Sequence, residues 1–246
     1  MTVFLLLCAV MVGTSFLSGI FGMAGGLILV GVLLAVMPLP DAMALHAVTQ
    51  IASNGWRTAL WIRHVRWRIV AAYAVGCLLA LGAWSLVRFV PEKPWALLGL
   101  GASPFVVRLF PAGMRPDATS PVQGVLYGTL CMALMLLTGV AGPLADSFFL
   151  GGGLERRAVV ATKSVCQTLS HILKLVYFAG LIENAGSVDP WLGGAAILAA
   201  MAGTTLARRV LEGMSDASFR LWGGRIITAI GVFYLAQGAW LLGVGP

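Results

Sequence analysis

Residues 17–34 read LSGIFGMAGGLILVGVLL, and this stretch decides the fold. It lies inside an apolar run of residues 3–37, and its glycines are Gly19, Gly22, Gly25, Gly26 and Gly31. Glycine is a poor helix former, so the run predicts a helix that breaks in its middle. Inside a bilayer, broken backbone is tolerated only where protein or a water-filled cavity satisfies its polar groups. The stretch therefore predicts a discontinuous helix beside a cavity.

The composition of the chain is that of a membrane protein. Its 246 residues are 59% hydrophobic and 10% charged, with a mean hydropathy of +0.94. An average soluble domain is roughly 25% charged, so this chain has too little polar surface to cover a soluble globule. The length allows about eight crossings of roughly 20 residues with short loops. We expect an all-α integral membrane protein with one transporter domain over residues 1–246.

Several classes of function lack support in the sequence. The net charge is +7, but the basic residues lie in short clusters between apolar runs, where membrane topology explains them. The four cysteines fall in apolar segments without CxxC or metal-ligand spacing. HExxH, GxSxG and P-loop motifs are absent from the sequence. We expect no catalytic site, metal, cofactor or nucleic acid, and the first run lacks the basic residues of a cleaved signal peptide.

A second glycine-rich break repeats the first. Residues 137–142 read LTGVAG and align with LSGIFG at residues 17–22. Further along, Thr49, Gln50 and Asn54 of the first half align with Thr162, Lys163 and Gln167 of the second half. The chain is therefore interpreted as two copies of one unit, residues 1–115 and residues 116–246.

The basic residues set the expected topology. If every run crosses the membrane once, five basic residues fall on the side of the 63–68 loop and six on the other, against the positive-inside rule. If the two broken runs return to their own side as re-entrant hairpins, the counts become nine inside and two outside. The nine are Arg63, Arg66, Arg68, Arg108, Arg115, Arg156, Arg157, Arg208 and Arg209, and the two are Arg88 and Lys93. Each half then holds one hairpin and three transmembrane helices, so the repeats are inverted and both termini are external. Inverted repeats with broken helices are typical of secondary transporters.

The glycine pattern resembles that of a known family. Gly19-x-x-Gly22-x-x-Gly25-Gly26, followed by residues 27–34, is similar to the first signature of the sulfite exporter TauE/SafE family of anion permeases. The motifs at 47–49, 139–142, 161–162 and 203–209 match the rest, over nearly the whole chain. The resemblance implies a permease for sulfite, thiosulfate, organosulfonates or related anions. In the second motif, residues 144–146 replace the family's glycine triplet.

Candidate substrate-binding residues form a backbone group and a polar group. The N-termini of broken helices expose N–H groups to an anion, and a glycine lets the anion approach the backbone closely. The alternative role of these glycines is to allow tight helix packing. This group is Gly22, Gly25, Gly26 and Gly142. The polar group can donate hydrogen bonds to oxyanion oxygens, with interhelical bonding as the alternative. It is Thr49, Gln50, Asn54, Thr162, Lys163 and Gln167.

Charged residues inside the apolar runs complete the candidate site. An unpaired charge at the bilayer centre costs at least ~2.5–3.5 kcal/mol. Lys163 and Lys174 lie close to three helical turns apart in one run and can line one helix face. Arg57 lies late in its run, and snorkelling is the alternative for it and for Lys163. Asp146 can pair with a lysine, cap the half-helix that begins at Pro143, or carry a coupling proton.

We therefore expect a transporter that moves a small sulfur-containing anion by alternating access at a midplane site, in a bacterial inner membrane. The alternatives are a channel or carrier for another small solute, and an intramembrane enzyme or assembly factor. The expected partners are the anion and the lipid bilayer, with proton coupling and a homodimer left open. His46 and His171 are interpreted as hydrogen-bonded structural residues, with titration near neutral pH as the alternative.

Overall fold

The computed structural model describes residues 2–21, 24–108, 117–151, 154–181, 186–214 and 216–244. Every regular element in these ranges is helical. In chain order they are α1 (Thr2–Phe21), α2 (Ala24–Val36), α3 (Leu39–Trp61), α4 (Trp67–Val87), α5 (Lys93–Arg108), α6 (Pro121–Thr138), α7 (Gly142–Gly151), α8 (Arg156–Val176), α9 (Pro190–Gly213) and α10 (Asp216–Val244), with a 3-10 turn at Ile62–His64 and a π-helical segment at Tyr177–Leu181. The predicted all-α class is confirmed.

The first glycine-rich run forms two helices that pack against each other. The long helix α1 has 20 residues and the short helix α2 has 13. Gly25 of α2 lies against the carbonyl oxygen of Thr14 and the hydroxyl of Ser18 in α1, where a Cβ atom would overlap both. The missing side chain therefore allows the two backbones to approach closely.

The second glycine-rich run breaks where the sequence predicts. Helix α6 ends at Thr138, and Gly139 adopts φ +87°, a left-handed conformation that favours glycine. The N–H group of Gly139 donates to the carbonyl oxygen of Met135, which completes the last turn of α6. Helix α7 then begins at Gly142 and has only 10 residues. Both runs thus consist of a long helix followed by a short one.

The helices pack in matching pairs around a polar centre. Helix α1 packs on α9 and α4 on α6, while α5 pairs with α10 and α3 with α8. Glycines lie where the helices cross: Gly203 of α9 meets the backbone of α1, and Gly76 of α4 meets the backbone of α6. Gly101 of α5 and Gly231 of α10 lie against each other. Small residues at such crossings are typical of membrane bundles.

The outer surface of the bundle is suited to lipid. Among the described residues, five helical segments are long and apolar enough to cross a membrane. They are Phe4–Phe21, Trp67–Val87, Pro121–Thr138, Pro190–Val210 and Arg225–Gly243. Large apolar side chains on their outer faces are exposed, such as Leu86 at 89% and Trp191 at 83%. Helices α3 and α8 carry more polar residues and lie together inside the bundle, where such residues are tolerated.

Contacts between loops define two ends of the bundle. At the end where α3 begins, the backbone N–H of Ser187 donates to Asp41 Oδ1 at 2.7 Å. At the end where α3 finishes, the guanidinium of Arg157 lies 5.9 Å from the ring centroid of Trp61. The backbone N–H of Arg66 also donates to Thr162 Oγ1 there, at 3.0 Å. The acidic first turn of α3 and the basic segment at 62–66 therefore lie at opposite ends.

Candidate functional site

A small cavity lies between the two helix breaks. Its lining residues are Gly26, His46, Gln50, Asn54, Met135, Val140, Ala141, Gly142, Gln167 and His171. Five of these belong to the predicted site: Gly26, Gln50 and Asn54 from the first half, and Gly142 and Gln167 from the second. The structure thus brings together residues of both halves that are at least 88 positions apart in the sequence.

Two amide side chains supply hydrogen-bonding groups on the α3 side. Gln50 Nε2 is buried and has no hydrogen-bond partner among the described residues. Asn54 Nδ2 donates to the backbone oxygen of Gln50 at 3.0 Å and reaches its side-chain oxygen at 3.4 Å. A buried donor without a partner is costly, so the Gln50 amide is poised to donate to an occupant of the cavity.

Both short helices begin beside the cavity. Gly26 lies in the first turn of α2, and Gly142 is the first residue of α7. The first N–H groups of a helix have no acceptor inside that helix, and its N-terminus carries a partial positive charge. There is little spare room at Gly26, because a Cβ atom there would lie 3.3 Å from Gln50 Nε2. The two N-termini and the amides form an arrangement that can hold an anion.

The charged pair of the second half lies beside this cavity. Lys163 Nζ forms an ion pair with Asp146 Oδ1, and the side chains are 14% and 19% exposed. The predicted pairing of Asp146 is thus present in the structure. Neither side chain is among those that line the cavity. The two charges compensate each other locally.

Other predicted site residues make contacts within the protein. Thr49 Oγ1 donates to the carbonyl oxygen of Leu45 in its own helix at 2.9 Å. Arg57 Nη2 donates to the carbonyl oxygen of Ser18 at 3.0 Å. The predicted residues Gly25 and Thr162 take part in the helix packing and loop contact described above. Gly22 lies outside the described residues, and a binding role for these residues stays a prediction.

Lys174 lies behind the cavity wall and is fully buried, with 0% exposure. Its Nζ atom lies 2.7 Å from His46 Nδ1 and donates to the carbonyl oxygen of Gly139 at 3.0 Å. His46 Nε2 lies 3.0 Å from the carbonyl oxygen of Gly26. The predicted cation therefore reaches the cavity through a histidine that is itself part of the lining.

Sequence reasoning placed the two histidines outside the site, but both line the cavity. The spacing of the histidines in the sequence does indicate that they belong to the site. His46 precedes Gln50 by four residues, and His171 follows Gln167 by four. Residues four apart share one face of a helix, so each histidine lies on the face that carries a predicted amide.

These features define a class of protein. An all-α bundle with apolar outer helices and a polar cavity between two broken helices is the architecture of a membrane transporter. A family model described as Sulfite exporter TauE/SafE matches residues 5–234. The chain belongs to this family of membrane permeases, as its glycine motifs predict, and is a multi-pass membrane protein. Membership agrees with transport rather than catalysis. No solved structure matches the chain.

Proposed function

We propose that the protein moves small sulfur-containing anions across a bacterial inner membrane by alternating access at this cavity. The expected substrates are sulfite, thiosulfate and organosulfonates. The observation that carries the proposal is the cavity itself, which both helix breaks border and both halves line. Anions that reach it meet helix N-termini and amide donors, which bind oxyanions without a fixed positive charge.

The packing of the helices supports two inverted copies of one unit. When residues 1–115 and 116–246 are aligned, α1 corresponds to α6 and α4 corresponds to α9. The contact of α1 with α9 then has its counterpart in the contact of α6 with α4. Gly203 and Gly76 each lie in one of these two contacts, against the backbone of the long helix from the other half. A twofold arrangement of the halves accounts for both contacts.

The contacts between loops support the re-entrant topology. If every apolar run crossed the membrane once, the first turn of α3 with Asp41 and the segment that contains Ser187 would lie on opposite faces. Their direct hydrogen bond instead favours one face. Single crossings would also place Arg66 and Thr162 on opposite faces. The hydrogen bond between them, at the other end of the bundle, instead favours one face. In the proposed topology, each hairpin enters the membrane with its long helix and returns to the same side with its short helix.

The small size of the cavity indicates that this structure shows a closed conformation. It has room for about one or two water molecules, which is less than a sulfur oxyanion requires. Substrate entry therefore requires the two halves to separate on one side of the membrane. Such rocking around a fixed central site is the usual form of alternating access in transporters built from inverted repeats.

Transport in proteoliposomes tests the proposal. Purified protein should give saturable uptake of radiolabelled sulfite, thiosulfate or a sulfonate, and unlabelled anions of the same class should compete. Protein-free liposomes are the control for leakage. Flux that increases linearly with concentration would indicate a channel instead. Transport of an unrelated solute together with no flux of any sulfur-containing anion would contradict the proposed substrate class.

A further inference from the structure

A chain of hydrogen bonds connects the two helix breaks. It runs from the carbonyl oxygen of Gly139 to Lys174 Nζ at 3.0 Å, and from there to His46 Nδ1 at 2.7 Å. His46 Nε2 then reaches the carbonyl oxygen of Gly26 at 3.0 Å. Each end of this chain is a backbone oxygen at a helix break, and its central ring lines the cavity. The chain thus spans both halves beside the proposed substrate site.

The partners of Lys174 are all neutral acceptors. In the described part of the chain its amine bonds to an imidazole nitrogen and a carbonyl oxygen, and it is fully buried. Asp146 is engaged with Lys163. A buried ammonium group without an anionic partner is costly, whereas the neutral amine is not. We therefore expect a neutral amine when the cavity is empty.

The geometry allows Lys174 to gain a proton without losing a contact. A neutral amine has two N–H donors, which match its two acceptors, and one lone pair. Protonation turns that lone pair into a third donor and leaves both existing bonds in place. His46 keeps one tautomer throughout, because Nδ1 accepts from the amine and Nε2 donates to the Gly26 oxygen. Both protonation states of the pair therefore fit the same structure.

A second histidine gives the pair access to the cavity. The rings of His46 and His171 lie 5.4 Å apart at an angle of 61°. His171 Nδ1 is buried and has no hydrogen-bond partner among the described residues. Since both rings line the cavity, a proton carried by cavity water can reach the pair past His171. An anion in the same cavity would lie close enough to stabilise the new positive charge.

We propose that Lys174 and His46 form the proton-coupling site of this transporter, so that each anion binds together with one proton held at the contact between them. The inference rests on the proposed function, because it requires an anion in the cavity. The proton comes from water on the side to which the cavity opens and returns to water on the other side. A monovalent anion and this proton together add no net charge to the site.

The titratable groups of the surrounding helices already have other contacts or lie away from the pair. Helix α2, which is described throughout, contains none. Among the side chains that the structure describes, the others are Asp41 and Arg57 on α3, Arg68, Tyr73 and Cys77 on α4, Tyr127 and Cys131 on α6, Asp146 on α7, Arg157, Lys163 and Cys166 on α8, Tyr177 in the π-helical segment, and Arg208 and Arg209 on α9. Asp41 bonds to Ser187, and Tyr177 donates to the carbonyl oxygen of Phe89. None of these contacts involves Lys174 or His46.

Calorimetry on the purified full-length protein tests the proposal. Methanesulfonate and thiosulfate are the probes, because their charges stay constant between about pH 6 and 8, where histidine titrates. Titrations in buffers of different ionisation enthalpy give the number of protons taken up with each anion. We expect close to one proton, and therefore a Kd that increases about tenfold per pH unit as the pH rises. This measurement needs no variant.

Two lysine variants locate the proton. Lys174→Met should reduce proton uptake to near zero and flatten the pH dependence of Kd. Lys93→Met, at the start of α5 and away from the cavity, should behave like the wild type. Measurable binding without proton uptake in the wild type would overturn the coupling site and leave the proposed function intact. Uptake that persists in Lys174→Met would assign the proton to another group and overturn the proposal. Failure of both anions to bind at any pH would contradict the proposed function as well.

Discussion

The two hairpins carry different chemistry at corresponding places. In the first hairpin, Gly26 of α2 faces Gln50 of α3, and both line the cavity. In the second, Asp146 of α7 pairs with Lys163 of α8, and neither belongs to the cavity lining. The repeat alignment places Gly26 opposite Asp146 and Gln50 opposite Lys163. The first half thus offers a neutral donor to the cavity where the second half has a closed ion pair.

This difference indicates how the site can bind an anion and still release it. A permanent, uncompensated cation in a dry cavity would hold an anion tightly and slow its release. The ion pair of the second half removes that charge locally, so binding depends on helix N-termini, amides and the protonation of Lys174. Substitutions that remove one part of this difference between the hairpins test it, and their expected effects decrease in the following order.

The largest effect is expected from Gly26→Leu. The added side chain would fill the space between α2 and Gln50, where a Cβ atom alone already lies 3.3 Å from the amide nitrogen. Transport in proteoliposomes should fall to background while expression stays close to wild type. Gly82→Leu is the control, because a Cβ atom at Gly82 in α4 meets nothing within 4 Å. Normal affinity in Gly26→Leu would leave this glycine with only a packing role.

The next effect is expected from Gln50→Met, which keeps length and removes the amide. A hydrogen bond to a charged group contributes about 1.5–3 kcal/mol, so the Kd for the anion should rise about tenfold or more. Asn54→Leu should raise it less, because the Asn54 amide already donates to Gln50. Binding assays on both variants at one pH provide the comparison. An equal loss in the two would show that the free donor of Gln50 has no special part.

A smaller effect is expected when the second half is made neutral like the first. Asp146→Asn or Lys163→Gln alone leaves a partly buried charge without its partner and should lower the melting temperature in detergent, at a cost of about 1–3 kcal/mol. The double variant removes both charges and should be closer to the wild type than the sum of the single changes. Additive losses would mean that the ion pair is not the coupled unit that the structure indicates.

The smallest effect on transport is expected from Thr162→Val. Thr162 Oγ1 accepts the backbone N–H of Arg66 at the end of the bundle, away from the cavity lining. Loss of this bond should cost about 0.5–1.5 kcal/mol of stability and change substrate affinity by less than about threefold. Thermal denaturation and binding measured on the same preparation separate the two effects. A large loss of affinity at unchanged stability would show that Thr162 contacts the anion, as the sequence predicts.

Local features of the sequence predicted the breaks and much of the cavity lining. Gly139 ends α6 because its φ of +87° is a conformation that glycine readily adopts, and Gly142 begins α7. The partner of Lys174 could not be predicted in this way, because His46 lies 128 positions away. Periodicity places each residue on a helix face, but only the packing of α3 on α8 decides which faces meet.

The central claim is that two inverted copies of one unit enclose the site, and the sidedness of two loops tests it most directly. Ser187→Cys and Glu155→Cys are introduced separately into a protein whose native cysteines have been replaced. Both positions are exposed in the structure, at opposite ends of the bundle. An impermeant maleimide added to intact cells should label the cysteine at position 187 and leave the one at position 155 unlabelled until the membrane is opened. Labelling of both positions from outside, or of position 155 alone, would contradict the inverted repeat.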